Sequence, residues 1–479
     1  MLGGHQDKER RWLCNDMNKE IVRKIDDVSQ RAVLSQLERN SYFPKNTGTQ
    51  LTELLNQYES SSCAPIEVSF RELVPWVYGG SRASHYLHSY PAKLLPQIAH
   101  FFLANDLLCP ADGAVLDPFS GSGTVALETV LSGRDAYYCD VNPFARLLTK
   151  GKTTPQSVQE VEIGLEQVHL AYQRNETAAC PDVVNLSYWY NEGTSAHLAR
   201  LKRAITAVSA EDTRCLMNIC FSSVARKLSR ANPRFSVPVR LKIGGEQVDV
   251  VADENQVWEC FDKAVSKAKR QICGLLEVPS MGRAFLASDD VLNLGTNWPT
   301  GEKRFGEMDL VITSPPYAGA QKYVRATSLS IGWLDQAKSN ELKGIENKTL
   351  GREHLPKADT TKLHSTTIDA ADKLIRSIAL ENQTRAAIAS VFLREMKQAA
   401  ENIMKSLKSG GYAVVVMADN TVCGRHFPTT SFTAELFIRA GGSKVLEMKD
   451  EIVSRSLQTK RASTSSSISH ETITVFRKA

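Results

Sequence analysis

An apolar run ends abruptly in a short polar motif, Ser314, Pro315, Pro316 and Tyr317. The preceding residues, 309–313, have the composition of a buried strand. Neither proline can donate a ladder hydrogen bond, so the strand must end at the motif. A plain turn needs no more than one proline. We therefore interpret the motif as a rigid loop that presents a serine and an aromatic ring to a ligand, with a structural Pro-Pro turn as the alternative.

Acidic residues stand where three predicted strands end. A strand, a glycine turn and a helix are predicted over 113–133, and Asp117 closes that strand. Asp140 closes the next strand, and Asp289 closes a third one later in the chain. Any one of these acids alone could be an ordinary turn residue at a strand exit. Three of them at strand ends of one α/β unit favour a ligand site.

The glycine turn between the first strand and its helix narrows the choice of ligand. Gly121 and Gly123 allow backbone amides and a helix N-terminus to approach a ligand closely. The letters GSGTVA satisfy the loose dinucleotide pattern G-x-G-x-x-A, whereas no Gly-Lys-Ser/Thr of a P-loop follows. Asp117 would repel a pyrophosphate but attract an ammonium group, and Asp140 is placed to accept hydrogen bonds from ribose hydroxyls. A cationic nucleoside with an amino-acid tail, S-adenosylmethionine, fits these groups.

These motifs together resemble the class I methyltransferases, in particular the DNA amino-methyltransferase group that methylates exocyclic amines. The string DPFSGSGT at 117–124 is similar to that family's cofactor loop, and TSPPY at 313–317 to its catalytic loop. The string HSYPAKLLPQIAHFFL at 88–103 is similar to the segment that packs over the methionine end of the cofactor. The resemblance covers roughly residues 85–150 and 280–479.

The resemblance implies a set of cofactor contacts. Asp140 and Asn142 match the family's ribose-contacting motif by position, and Asp289 matches its adenine-side motif. The full set of expected cofactor residues is Tyr90, Lys93, Asp117, Pro118, Phe119, Gly121, Gly123, Thr124, Asp140, Asn142 and Asp289.

The resemblance also implies a mechanism. In the family, the side chain at the Ser314 position and the backbone carbonyl at Pro315 accept hydrogen bonds from the target amine, and Pro316 helps to fix that carbonyl. Tyr317 offers a ring face on which an extruded base stacks, so the ring is expected to matter more than its hydroxyl. The methyl group passes directly to nitrogen. Methylation at carbon 5 of cytosine would need a cysteine nucleophile, usually in a Pro-Cys step, and the sequence has none.

Positive charge is concentrated in one part of the chain. Residues 196–245 carry ten lysines and arginines against two acids, whereas the whole chain has a formal charge of +5. Such an excess is typical of phosphate contacts, although a solvated helix face is the alternative for any single residue. The candidates for nucleic-acid contacts are Arg200, Lys202, Arg203, Arg226, Lys227, Arg230 and Arg234, and, directly after the catalytic loop, Gln321, Lys322 and Arg325.

Strands that alternate with helices predict an α/β fold with a mostly parallel sheet covered on both faces. With the resemblance, the expectation becomes a Rossmann-like class I methyltransferase fold, with seven strands and a C-terminal antiparallel hairpin. We expect a helical N-terminal region over 1–84 and a first part of the core over 85–150. A helical basic insertion over 151–278 is a candidate for target recognition, and 279–479 complete the core.

Composition sets the remaining limits. The chain of 479 residues is 42% hydrophobic and 23% charged, as is usual for a globular protein. Neither a run of about 18 apolar residues nor a signal-peptide core occurs, so a cytoplasmic protein without a membrane span is expected. The ten cysteines show no Cys-x-x-Cys or zinc-site spacing, and no metal is expected.

The favoured function is a DNA methyltransferase that acts on cytosine N4, since serine at the first catalytic position goes more often with cytosine in the family. Its partner would be duplex DNA with the target base extruded, and a restriction nuclease or another defence protein could be encoded elsewhere. The alternatives are adenine N6 methylation, an RNA base as substrate, and a non-catalytic nucleic-acid-binding protein with a methyltransferase-like core. A nicotinamide-dependent oxidoreductase is the least favoured, because the Pro-Pro loop opposes it.

Overall fold

The structure is a computed structural model that describes residues 46–77, 83–91, 93–174, 176–296, 298–299, 304–319, 322–452 and 469–479. The first 45 residues of the predicted helical N-terminal region, and Gln321 among the predicted nucleic-acid contacts, lie outside the described residues.

A central sheet of eight strands organises the described chain. Its strands are β1 (Ile66–Val68), β2 (Ala114–Asp117), β3 (Asp135–Cys139), β6 (Ala284–Ser288), β7 (Met308–Thr313), β8 (Leu407–Met417), β11 (Gly442–Glu451) and β12 (His470–Lys478). Their order across the sheet is β1, β11, β12, β8, β7, β2, β3, β6. Two small hairpins lie apart from it, formed by β4 (Lys242–Ile243) with β5 (Glu246–Gln247) and by β9 (Asn420–Val422) with β10 (Arg425–Phe427).

The strand directions confirm the predicted fold class. Neighbouring strands run parallel except at β12, which is antiparallel to both β8 and β11. The predicted C-terminal hairpin is therefore β11 with β12, inserted in an otherwise parallel Rossmann-like sheet. The count differs from the predicted seven, because β1 adds an eighth strand parallel to β11, with Ile66 opposite Met448. A strand of three residues is too short to show the alternation that predicts strands.

Helices cover both faces of the sheet. They are α1 (Gly48–Ser60), α2 (Phe70–Leu73), α3 (Pro96–Leu103), α4 (Thr124–Leu131), α5 (Pro143–Thr153), α6 (Val158–Gln173), α7 (Leu186–Trp189), α8 (Glu192–Ile205), α9 (Glu211–Lys227), α10 (Glu254–Cys273), α11 (Tyr323–Trp333), α12 (Leu342–Lys348), α13 (Asp369–Ala379), α14 (Gln383–Ser406) and α15 (Thr429–Arg439). None of these helices has the length and hydropathy that a membrane crossing requires.

Alternating strand residues divide the core into two layers. On β2, Val115 packs with α1 to α4 on one face, and Leu116 packs with α13 to α15 on the other. On β7, Leu310 and Val311 divide in the same way. Successive side chains of a strand point to opposite faces, so these runs are apolar throughout, as expected for a parallel sheet buried on both sides.

One buried arginine holds the chain segment between α3 and β2. Arg134, only 3% exposed, donates hydrogen bonds to the carbonyls of Leu103, Asn105, Cys109 and Pro110 at 2.9–3.0 Å. It also pairs with the carboxylate of Asp106 at 2.7 Å. A planar guanidinium offers five donors in a fixed fork, so a single side chain satisfies several carbonyls beyond the end of α3.

Replacing this arginine should destabilise the fold. Arg134→Met leaves buried carbonyls without a donor and should lower the free energy of unfolding by about 3 kcal/mol or more. Urea unfolding followed by circular dichroism measures the change. The matched control is Arg439→Met, which removes a half-exposed arginine paired with Glu435 and should cost less than about 1 kcal/mol. Equal losses in the two variants would contradict the role of Arg134.

Candidate active site

The two motifs meet at the carboxyl edge of the sheet. Asp117 is the last residue of β2, and the glycine turn then leads into α4. On the neighbouring strand β7, the last residue is Thr313, and its hydroxyl donates to Asp117 Oδ1 at 2.9 Å. The amide of Phe119 donates to the same oxygen at 3.2 Å. The predicted cofactor loop and the predicted catalytic loop are thus joined at their first residues.

The Asp140 carboxylate accepts backbone hydrogen bonds that hold the glycine turn in place. Its Oδ2 accepts the Gly121 amide at 2.8 Å, and its Oδ1 accepts the Asn142 amide at 2.8 Å. Burial raises the pKa of Asp140, and these two backbone hydrogen bonds oppose that rise. A carboxylate has about four lone-pair positions, so each oxygen retains capacity for a ligand hydroxyl.

Gly123 allows the turn to pack against α5. Its φ is 73°, in the left-handed region, and a Cβ there would lie 2.9 Å from Thr149 Oγ1 and 3.0 Å from Thr149 Cα. Both the backbone conformation and the close approach therefore require glycine. Gly123 shapes the loop and does not line the cleft described next.

A cleft with an empty volume of about 830 Å³ lies over these strand ends. Predicted cofactor residues form one wall of the cleft, and Ser314 and Pro316 reach it from the catalytic loop. The predicted residues that line it are Tyr90, Asp117, Pro118, Phe119, Gly121, Thr124, Asp140, Asn142, Ser314 and Pro316.

Aromatic rings and amides close one side of the cleft. The Asn142 side chain donates to the hydroxyl of Tyr90 at 3.3 Å and to Thr327 Oγ1 at 2.9 Å. Its own carbonyl oxygen accepts the Phe144 amide at 3.0 Å and caps α5. Tyr90 stacks on Tyr323 of α11, with ring centroids 6.2 Å apart. The segment before α3 is thereby held against the chain that follows the catalytic loop.

The catalytic loop is held by a distant glycine. Pro315 and Pro316 are buried, whereas Ser314 and Tyr317 are partly exposed. A Cβ on Gly351 would lie 2.6 Å from the carbonyl oxygen of Tyr317 and 3.1 Å from Pro316 Cβ, and the φ of Gly351 is 75°. Only glycine allows this approach. Sequence reasoning missed Gly351, because nothing near it in the chain indicates the contact.

Besides Gly123, two further predicted cofactor residues do not line the cleft. Lys93 donates to the carbonyls of His85 and His88 at 3.3 and 3.0 Å, and burial lowers its pKa to about 8. Asp289 is exposed, and its neighbour Asp290 lines the cleft instead. Asp290 Oδ1 accepts the Leu292 amide at 2.9 Å.

Other cleft residues come from segments that sequence analysis did not consider. Lys348, Thr349 and Leu350 line the side near Asp290.

A buried lysine supports the glycine turn. Lys152 of α5 is fully buried, and its Nζ donates to the carbonyl of Ser122 at 2.6 Å, which holds the glycine turn against α5. Burial lowers the pKa of Lys152 well below its ordinary value. A lysine inside a helix gives no sequence signal of this kind.

Most of the predicted phosphate-contacting arginines already have partners within the protein. Arg200 pairs with Glu254 at 3.1 Å, and Arg203 pairs with Glu176 at 2.5 Å. Arg226 donates to the carbonyl of Phe235 at 2.8 Å. Arg230 pairs with Asp249 at 2.5 Å, and its side chain is only 14% exposed. These intramolecular contacts would compete with phosphate binding, and the sequence alone did not reveal them.

The remaining predicted contacts differ in exposure. Lys227 and Arg234 are exposed at the end of α9 and just beyond it, whereas Lys202 is half-buried. After the catalytic loop, Lys322 lies 3.4 Å from Glu353, and Arg325 is exposed on α11.

Comparison with known proteins identifies homologues. No protein-family model matches the chain. The type II methyltransferase M.MvaI of Kocuria varians is 23% identical over 376 residues, covering 74% of this chain and 81% of that protein. The type II methyltransferase M.MjaII of Methanocaldococcus jannaschii is 28% identical over 78 residues, covering 16% of this chain and 14% of that protein. The chain is thus homologous to type II methyltransferases.

The solved structures that match the chain resemble it only weakly. A SAM-dependent methyltransferase from Methanosarcina mazei has a TM-score of 0.29 at 10% identity, covering 81% of this chain and 99% of that one. The rRNA methyltransferase aviRa of Streptomyces viridochromogenes has a TM-score of 0.31 at 12% identity, covering 85% and 96%. The fold is therefore assigned from the strand order of the sheet itself.

The buried acid at the end of β2 should make stability depend on pH. Burial raises the pKa of Asp117 from 3.8 to about 7. Its contribution to stability is therefore present at low pH and lost as the pH rises through about 7. The Asp117→Asn variant should gain stability relative to the wild type between pH 4.5 and pH 8. Thermal unfolding at the two pH values measures this.

The control for this measurement is Asp369→Asn, which changes an exposed acid on α13. Its stability difference from the wild type should be nearly the same at both pH values. An Asp117→Asn variant that lost stability relative to the wild type on raising the pH would contradict the assigned burial.

Proposed function

We propose that the protein is an S-adenosylmethionine-dependent DNA methyltransferase that methylates an exocyclic amine, with cytosine N4 favoured over adenine N6. The observation that carries the proposal is the shared cleft: Ser314 of the catalytic loop faces the same space as Asp117 and Asp140. Homology to type II methyltransferases supports the same reaction class and a restriction-modification setting.

The acidic groups of the cleft match the ammonium and ribose groups of S-adenosylmethionine. The described hydrogen bonds to Asp117 all reach Oδ1, so Oδ2 is available to an ammonium group. Asp140 would accept ribose hydroxyls, and Asp290 would take the adenine-side role predicted for Asp289. A bound cation would also favour the ionised form of Asp117, whose pKa burial raises. The cofactor supplies an activated methyl group.

The catalytic loop would orient the target amine. The lone pair of an aromatic amine is delocalised into its ring, so the nitrogen is a weak nucleophile. Acceptors at Ser314 Oγ and the Pro315 carbonyl would engage both amine hydrogens and favour a more tetrahedral nitrogen. The buried prolines hold these acceptors in place before substrate binds, so little reorganisation is needed during the reaction.

DNA would be held outside the cleft by the exposed basic residues. Lys227 and Arg234 are exposed members of the predicted insertion surface, whereas Arg203, which is also exposed, already pairs with Glu176. Arg325 lies on α11, close in sequence to the catalytic loop. Phosphate contacts of this kind provide affinity without sequence preference. A flipped base would then enter between Ser314 and the ring of Tyr317.

The reaction is tested with the Ser314→Ala variant. Loss of one preorganised acceptor should lower the rate of methyl transfer about 100-fold or more and leave cofactor affinity nearly unchanged. Tritium transfer from labelled S-adenosylmethionine to duplex DNA gives the rate, and calorimetry gives the affinity. Ser409→Ala, which changes a distant exposed serine bonded to the carbonyl of Ala479, serves as the control and should keep full activity. Full activity in Ser314→Ala would refute the proposed mechanism.

The DNA surface is tested by charge reversal at the exposed residues. The double variant Lys227→Glu with Arg234→Glu should weaken binding to duplexes of any sequence. The slope of log affinity against log salt should fall in magnitude by about two, one unit for each lost phosphate contact. Fluorescence anisotropy over a salt series measures both.

The control reverses two charges of matched exposure elsewhere, Lys263→Glu with Arg439→Glu, whose side chains are 72% and 49% exposed. If both double variants change the salt slope equally, the effect reflects net charge and not a contact surface.

A further inference from the structure

The main chain of the catalytic loop is contacted at two successive carbonyls by residues from outside the cleft. Gly351 packs so closely on the Tyr317 carbonyl that a Cβ there would lie 2.6 Å from its oxygen. The side-chain amide of Asn420 donates to the carbonyl of Ala318 at 2.7 Å. Both contacts act on the backbone, and so on the direction in which the loop presents its acceptors.

An ion pair anchors the segment that carries Gly351. The next residue, Arg352, makes a bidentate pair with Glu395 of α14: Nη1 donates to Oε2 and Nη2 to Oε1, both at 2.8 Å. Nη1 also donates to the carbonyl of Thr349 at 3.2 Å. The two charged side chains are only 10% and 12% exposed. Two planar groups joined by two hydrogen bonds fix a single relative orientation, so Gly351 is held at a defined place.

The helix that supplies Glu395 also touches the catalytic loop directly. A Cβ on Gly319 would lie 3.5 Å from Cγ2 of Ile388, so α14 lies in van der Waals contact with the end of the loop. Ile388 and Glu395 are about two turns apart and therefore lie on the same side of the helix. The helix α14 thus supports the loop once through Ile388 and once through the ion pair.

The orientation of the Asn420 amide is fixed by a second hydrogen bond. Its Oδ1 accepts the hydroxyl of Thr429 at 2.7 Å, and Thr429 is fully buried at the start of α15. Because only the nitrogen of the amide carries hydrogens, this bond turns Nδ2 toward the Ala318 carbonyl. Asn420 also begins β9 and is paired with Phe427 of β10. The donor is therefore in place before any ligand binds.

We propose that Arg352, Glu395 and Asn420 are positioning residues that set the catalytic loop for methyl transfer. This inference rests on the proposed function. The proline rings fix φ at residues 315 and 316, so few backbone torsions separate Ser314 from the two contacted carbonyls. A shift at the Tyr317 or Ala318 carbonyl is therefore passed back to Ser314 Oγ and the Pro315 carbonyl, the two acceptors for the target amine.

The inference predicts which kinetic quantity changes. Among the described residues that line the cleft, none is Arg352, Glu395 or Asn420. Their loss should therefore lower the rate of methyl transfer at saturating substrates and leave the affinity for S-adenosylmethionine nearly unchanged. A displacement of about 1 Å at a reacting centre can cost about 100-fold in rate.

The test measures the single-turnover rate of tritium transfer to duplex DNA of mixed sequence at saturating cofactor and DNA. Glu395→Gln removes the charge of the ion pair, and Asn420→Asp replaces the amide donor with an acceptor that repels the Ala318 carbonyl. Both changes keep the size of the side chain. Each variant should react about 100-fold more slowly than the wild type. Calorimetry gives the affinity for S-adenosylmethionine, and thermal unfolding gives the stability.

Two control variants make the same chemical changes away from the loop. Asp309→Asn removes the charge of a buried acid that pairs with Lys408 at the opposite end of β7. Asn105→Asp replaces an asparagine that donates to the carbonyl of Phe101 at 3.1 Å, beyond the end of α3. Both controls should lose stability and keep the wild-type rate at a temperature where they are folded.

Each outcome bears on one claim. A wild type that transfers no methyl group to DNA refutes the proposed function. If the wild type is active and Glu395→Gln and Asn420→Asp keep its rate, only the positioning role is refuted. Equal rate losses in the variants and their controls would reduce the effect to stability, and a loss of cofactor affinity that accounts for the slow rate would place the effect in the cleft. Either result would overturn the inference.

Discussion

The hydrogen bond from Thr313 to Asp117 joins the ends of two neighbouring parallel strands, and the candidate site depends on it. One strand leads into the glycine turn and the other into the Ser-Pro-Pro-Tyr loop. The loops that follow neighbouring parallel strands leave the sheet at the same edge, so a ligand at that edge contacts both loops. The bond sets the two loops at a fixed spacing before any ligand arrives, and both prolines and Gly351 keep the second loop in place.

The same edge carries an electrostatic cost. Burial raises the pKa of Asp117 and Asp140, so the free site disfavours their ionised forms. A cationic cofactor would relieve part of this cost at Asp117. Residues that weaken the fold at neutral pH would then be those that bind the cofactor, a trade-off common at functional sites.

Local sequence was sufficient to predict the sheet class and the terminal hairpin, and together with the family resemblance it predicted ten of the residues that line the cleft. Those features depend on where apolar runs end, and Asp117 and Asp140 sit directly at such ends. Of the two adjacent acids after β6, Asp290 lines the cleft and the predicted Asp289 does not, and the pairing of β3 with β6 has an irregularity after Tyr138 that shifts the register.

Features set by distant contacts could not be predicted. The partner of Arg200, Glu254, is 54 residues away, and Gly351 meets a loop that precedes it by more than thirty residues. Lys348, Thr349 and Leu350 line the cleft from a segment that no local pattern marks as part of the site.

The central claim is that this edge of the sheet transfers a methyl group to an amine of a DNA base. The direct measurement is mass spectrometry of nucleosides from duplex DNA of mixed sequence, incubated with the purified protein and methyl-deuterated S-adenosylmethionine. The account predicts deuterated N4-methylcytosine in the wild-type reaction and none with Ser314→Ala. Label found only in N6-methyladenine would contradict the choice of base, and an absence of label in every nucleoside would contradict the claim itself.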